Sequence, residues 1–104
     1  MSDDSLTPPM QVTVVHADAC HFCDDALSVL ADLSATWPVV VRVVELQTPE
    51  GESLVAQHRP AMNPLVLVDG RYFSAGRLPR KKLTKMLIAR YTSSTAAQPL
   101  PTGA

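Results

Sequence analysis

The stretch Gln11-Val12-Thr13-Val14-Val15-His16-Ala17-Asp18-Ala19-Cys20-His21-Phe22-Cys23 decides how the chain is read. Its first six residues are rich in β-branched side chains and predict a strand over 11–16. Beyond Cys20 the period changes. Leu27, Leu30, Leu33 and Trp37 recur at three and four, with Ala26 and Val29 alongside, which predicts a helix from about Phe22 to Thr36. Asp24 and Asp25 fall in its first turn, where the helix dipole favours anions, and Pro38 stops it. A strand therefore runs through a short polar link into a helix. Two cysteines three residues apart stand at the junction, and they are the only two in the chain.

That placement gives the pair a chemistry. The spacing brings both sulfurs within bonding reach once the first lies at a helix start. Unpaired backbone N–H groups there favour the thiolate form of Cys20. Cys23 lies one turn further in and is the more shielded. Cys20 is then expected to attack a disulfide, and Cys23 to resolve the mixed disulfide that forms. A protonated His21 favours the Cys20 thiolate and makes the couple more oxidising; Asp18, Asp24 and Asp25 oppose this by like-charge repulsion. Two other readings stand beside redox chemistry. A CxxC pair is half of a zinc site, which needs two further ligands, with His16 and His21 near and His58 distant. Two inert cysteines are the remaining reading.

Outward from this stretch, Val39 to Leu46 is an almost unbroken aliphatic run. It predicts a strand covered on both faces, as in a parallel sheet. Thr48-Pro49 signals a helix start, with a short helix over 49–58 whose apolar contacts are Leu54 and Val55 and which Gly51 weakens. Asn63-Pro64 precedes a third strand, 65–68. Asp69-Gly70 predicts a hairpin turn into a return strand, 71–74. Pro79 opens a last helix, 79–91, with Leu83, Met86, Leu87 and Tyr91 inward. Arg77, Arg80, Lys81, Lys82 and Lys85 form a basic cluster at its start, read as a solvated face or as a docking patch for an acidic protein. The predicted order is β-α-β-α-β-β-α, an α/β fold with a four-stranded mixed sheet and helices on both faces.

Composition bounds the rest. The chain has 104 residues, enough for one core. Hydrophobic residues make up 46% and charged residues 18%, which predicts a packed domain. Residues 1–10 and 92–104 are polar and Pro-containing and are expected to be unordered, leaving 11–91 as the folded domain. Nine Lys+Arg against ten Asp+Glu give a net charge of −1, which argues against a nucleic-acid partner. No apolar run spans a membrane, and the acidic N-terminus is unlike a secretory signal, so a cytoplasmic protein is expected. In a reducing compartment a close cysteine pair is read first as redox-active.

The motif, its position and the element order together resemble the thioredoxin-like superfamily, specifically its glutaredoxin-like branch. Three features carry the resemblance: the strand Val12 to His16 running into Cys20-His21-Phe22-Cys23, Asn63-Pro64 directly before a strand, and Leu65 to Gly70 followed by a return strand ending near Gly76. It covers about 11–91. It implies that Pro64 is cis and faces the active site, and that the backbone of Asn63 is open to a substrate strand. It implies a dithiol oxidoreductase, a monomer, acting on disulfide-containing protein substrates and reduced by a protein or small thiol. No cofactor is expected beyond the Cys20–Cys23 disulfide, and no metal. The sequence departs from glutaredoxins at the motif, which there is Cys-Pro-Tyr-Cys, and at the loop that holds glutathione's ammonium, here Ala75-Gly76-Arg77-Leu78-Pro79. Arg59 is a candidate contact for a carboxylate. Redoxins reduced by thioredoxin reductase also lack that acidic loop and are the nearer model. A glutathione-dependent glutaredoxin is the rival within redox chemistry. A binding module with a vestigial or metal-holding CxxC is the rival outside it.

Overall fold

The computed structural model describes residues 8–96. Its elements are β1 (Met10–His16), α1 (His21–Ser34), β2 (Val39–Glu45), α2 (Pro49–His58), β3 (Leu65–Val68), β4 (Arg71–Ala75) and α3 (Arg80–Ala96). The order is the predicted one. Contacts divide the chain into a unit of Pro9–Leu78, which holds the sheet, α1 and α2, and a second unit built on α3.

The four strands lie in the order β2-β1-β3-β4. β1 and β2 are parallel, paired from Met10↔Val39 to His16↔Glu45. β3 runs antiparallel to β1, with Val15 opposite Leu65, and β4 antiparallel to β3. The β3–β4 turn is Asp69-Gly70, with φ of 51° and 83°, the left-handed pair that a two-residue hairpin of matching twist requires. Asp69 also ties the turn to β1: its Oδ1 accepts the Gln11 N–H at 3.0 Å.

β1 is the covered strand. Val12 and Val14 face one side, Val15 the other, and all three are fully buried. On the Val15 side, Leu65 and Leu67 complete a cluster against which Leu46, Leu54 and Val55 pack, so the predicted inner face of α2 is the observed one. α1 contacts β1 and β2 and buries Cys23, Ala26, Leu30 and Leu33, a stripe at the three–four spacing of one helical face. Cys23 is thus the first residue of the buried stripe, while Cys20 precedes it by a turn.

The structure corrects several sequence expectations. β2 is not covered on both faces. It is the outermost strand of the described sheet, and its faces are only partly covered, with Val40 49% and Val43 46% exposed. Gly51 is no mere weakness in α2. A Cβ there would press on the Glu45 carbonyl oxygen and lie 2.9 Å from the Leu46 Cα, so the first turn of α2 reaches the end of β2 only with glycine. Thr48 caps that turn, its Oγ1 accepting the Gly51 N–H at 3.0 Å.

Both segments expected to be unordered are partly ordered. Met10 is fully buried at the start of β1, with its N–H donating to the Pro38 carbonyl at 2.9 Å. α3 runs past Tyr91 to Ala96. Residues 1–7 and 97–104 lie outside the described residues. In α3, Leu83 and Leu87 are fully buried and Met86 and Tyr91 half-buried.

Candidate active site

One end of the sheet brings together the Cys20–Cys23 motif and Asn63-Pro64. The C-terminus of β1 leads through Ala17-Asp18-Ala19 into α1. The antiparallel register places the start of β3, and so Asn63-Pro64, at that same end. The parallel register places Glu45, the last residue of β2, there too.

The loop makes its turn at Ala19, whose φ of 52° is left-handed and costs a residue with a Cβ about 1 kcal/mol. Cys20 then returns to an extended conformation and caps α1. Its Sγ accepts the Cys23 backbone N–H at 3.1 Å. In a helix cap this place is ordinarily taken by a serine or aspartate oxygen. The sulfur thus takes up a backbone donor that the helix itself leaves unpaired. Cys20 is half-buried and Cys23 buried, and both are free thiols.

Cys23 stands in the opposite condition. Its thiol is pushed up to about 11, first by burial and next by its hydrogen bond with Cys20; the Ala17 N–H, 3.5 Å from its sulfur, pulls weakly the other way. Burial away from water disfavours the thiolate. In the reduced protein Cys23 therefore keeps its proton at neutral pH.

His21 and Phe22 begin α1 and are exposed, Phe22 by 38%. Asn63 is exposed and Pro64 buried, and the Asn63–Pro64 bond is cis, as the resemblance implied. The Pro64 carbonyl accepts the Gly76 N–H at 3.0 Å, which fixes the strand-start segment to the end of β4. Arg59 ends α2 in a left-handed conformation, φ 49°, with its N–H on the Val55 carbonyl. Its side chain is exposed, and its place is explained by the helix cap without any ligand. Arg77, Arg80, Lys81, Lys82 and Lys85 are all exposed.

His16 does not join the cysteines. Its Nδ1 lies 3.1 Å from Oε1 of Glu45, its partner across the β1–β2 pair. With Asp18 these two residues form the one group of three possible metal-ligating side chains among the described residues. Sequence reading singled out neither Glu45 nor the role of Asp18 beside it. The signal was available only as two strands that each end on a polar residue.

Neither a protein-family model nor a curated relative matches the chain. Solved structures do. A mutant thioredoxin from Halobacterium salinarum NRC-1 superposes with a TM-score of 0.57 at 16% identity, covering 96% of this chain and 86% of that one. A thioredoxin from Thermus thermophilus, known from a solution structure, gives 0.51 at 21% identity over 86% of this chain and 82% of its own. With a four-stranded mixed sheet, three helices and a CxxC pair opening the first of them, the chain has the thioredoxin-like fold.

Proposed function

We propose that the protein is a dithiol–disulfide oxidoreductase that reduces protein disulfides through Cys20 and Cys23. The observation that carries this reading is the asymmetry of the pair. Cys20 Sγ sits at the N-terminus of α1 with the Cys23 N–H donating to it, and Cys23 is a buried, protonated thiol one turn away.

The reaction follows from that asymmetry. The Cys20 thiolate attacks one sulfur of the substrate disulfide, forming a mixed disulfide and releasing one substrate sulfur as thiolate. Cys23 then gives up its proton and attacks Cys20 Sγ. The Cys20–Cys23 bond forms, the mixed disulfide breaks, and the second substrate sulfur leaves. The proton of Cys23 ends on a departing substrate thiolate, so that the substrate gains two electrons and the protein loses two. Only the second step needs Cys23 ionised, when the incoming disulfide has removed the negative charge from Cys20. A thiol reductant then restores the pair.

For that reductant the reading favours a protein donor over glutathione. Glutathione presents two carboxylates and an ammonium. The loop after β4 offers the ammonium an exposed Arg77 where glutaredoxins offer acids. Loss of one charged hydrogen bond, about 1.5–3 kcal/mol, weakens such binding by roughly tenfold or more. Exposed Phe22 and Asn63 at the same end of the sheet suit an extended polypeptide substrate. No helix among the described residues is long and apolar enough to cross a membrane, and a close redox-active cysteine pair suits a reducing, cytoplasmic setting.

The test is to oxidise the protein mildly and weigh it. A loss of two hydrogens within one chain is expected. The oxidised protein is then offered glutathione, or thioredoxin reductase with NADPH, and faster reduction by the enzyme is expected. Intermolecular dimers or sulfinic acid as the only products would defeat the oxidoreductase reading. Saturable, efficient turnover of a glutathione mixed disulfide would replace the protein donor by glutathione.

A further inference from the structure

The sequence and the fold leave one group of chemistry-bearing residues unused. His16, Asp18 and Glu45 meet at the catalytic end of the sheet. β1 ends on His16 and β2 on Glu45, and the parallel register sets the two directly side by side. Asp18 reaches the same point from the loop that leaves β1. The ligating atoms of all three lie within 4.8 Å of one another. They line a cavity of about 180 Å³ whose remaining walls are Ala17, Leu46 and Gln47.

The geometry points to a divalent transition-metal site at His16, Asp18 and Glu45, of the Zn²⁺ kind, distinct from the cysteine pair. A tetrahedral ion with bonds of about 2.0–2.1 Å holds its ligand atoms roughly 3.3 Å apart. His16 Nδ1 and Glu45 Oε1 stand at 3.1 Å, already at that spacing. Asp18 lies within 4.8 Å of both, and its exposed side chain on a loop is free to reach that spacing by a change of rotamer. The backbone beneath is held firm: the Leu46 N–H donates to the His16 carbonyl at 2.8 Å. One imidazole and two carboxylates, with an open side to the cavity, give three protein ligands and room for water. This donor set suits Zn²⁺ better than Mg²⁺, which takes oxygen alone. The two carboxylates also outweigh the imidazole in charge, so the site is net negative before the ion arrives. Cys23 stays outside the set, since its buried sulfur receives the Ala17 N–H.

Zn²⁺ also binds thiolates, so the test removes them. The full chain carrying Cys20→Ser and Cys23→Ser is titrated with Zn²⁺ by calorimetry, with Mg²⁺ as comparator. Saturable binding of one Zn²⁺ per chain is expected, with none for Mg²⁺. In that background Glu45→Gln, Asp18→Asn and His16→Ala should each weaken binding by at least about tenfold. Glu45→Gln leaves His16 a hydrogen-bonding neighbour and so tests the charge without dismantling the strand end; circular dichroism confirms its fold. His21→Ala should leave the affinity unchanged. Absence of saturable Zn²⁺ binding, or binding that survives Glu45→Gln and Asp18→Asn, or binding that is lost with His21 and kept without His16, overturns the proposal.

Discussion

Cys23 should resist alkylation in the folded, reduced protein, and the size of the effect follows from the site. Its thiol lies at about 11 against an ordinary 9.0. At about pH 8 that leaves roughly one part in a thousand as thiolate in the native protein, against roughly one in ten in the unfolded chain. Ionisation alone therefore slows the reaction about a hundredfold. The more basic thiolate is the better nucleophile, by about 0.4–0.5 log units per unit of basicity, which returns roughly a factor of eight. A net slowing of about tenfold remains, and burial of the whole side chain adds to it. Cys20 has no such shield. It is half-buried at the mouth of the helix. A short pulse of iodoacetamide, kept low enough that few chains take two labels, is followed by fragmentation mass spectrometry to place the label. Cys20 should carry at least about ten labels for each one on Cys23. In denaturant the ratio should fall to near unity. Equal labelling in the native state would refute both the burial argument and the assignment of Cys23 as the resolving thiol.

Three further outcomes are expected. Because Cys23 is raised when folded, its contribution is fully present below about pH 9 and is lost as pH rises through about 11; urea unfolding under reductant should show about 3 kcal/mol lost over that window, and Cys23→Ala should show none of this component. Gly51→Ala should destabilise by about 3 kcal/mol or more, since the new methyl meets backbone, whereas Gly70→Ala, with φ of 83° but open space around it, should cost only about 1 kcal/mol in the same assay. Thr48→Ala should cost about 1 kcal/mol by removing the cap on Gly51, measured as a shift in the urea midpoint without a change in slope.

What the sequence revealed and what it hid divide along physical lines. The 11–23 stretch was legible because both its signals are local: β-branched residues for the strand, then a three–four stripe for the helix. The hairpin at Asp69-Gly70 was legible for the same reason, since the turn demands left-handed residues. The cis bond at Pro64 came from family resemblance, because nothing in the local residues distinguishes it from a trans strand start. The edge position of β2 was hidden. A run of valines reads alike whether a strand is central or outermost, and only what packs over the sheet faces decides which valines meet water. Gly51 was misread because helix propensity is local while the approach of Glu45 and Leu46 is tertiary. The reach of α3 to Ala96 was missed because Thr92 to Thr95 are weak helix formers, and the helix continues through them regardless. The His16–Glu45 contact was beyond reach, since it depends on the parallel register between two strands.

The central claim is that Cys20 attacks and Cys23 resolves, and trapping tests it most directly. Each single cysteine variant is mixed with a protein disulfide, quenched with acid and examined by non-reducing electrophoresis and mass spectrometry. Cys23→Ser should accumulate a mixed disulfide through Cys20, because the second step is lost. Cys20→Ser should neither reduce the substrate nor trap it, because the remaining thiol is buried and protonated. Trapping by Cys20→Ser, with none by Cys23→Ser, would contradict the account.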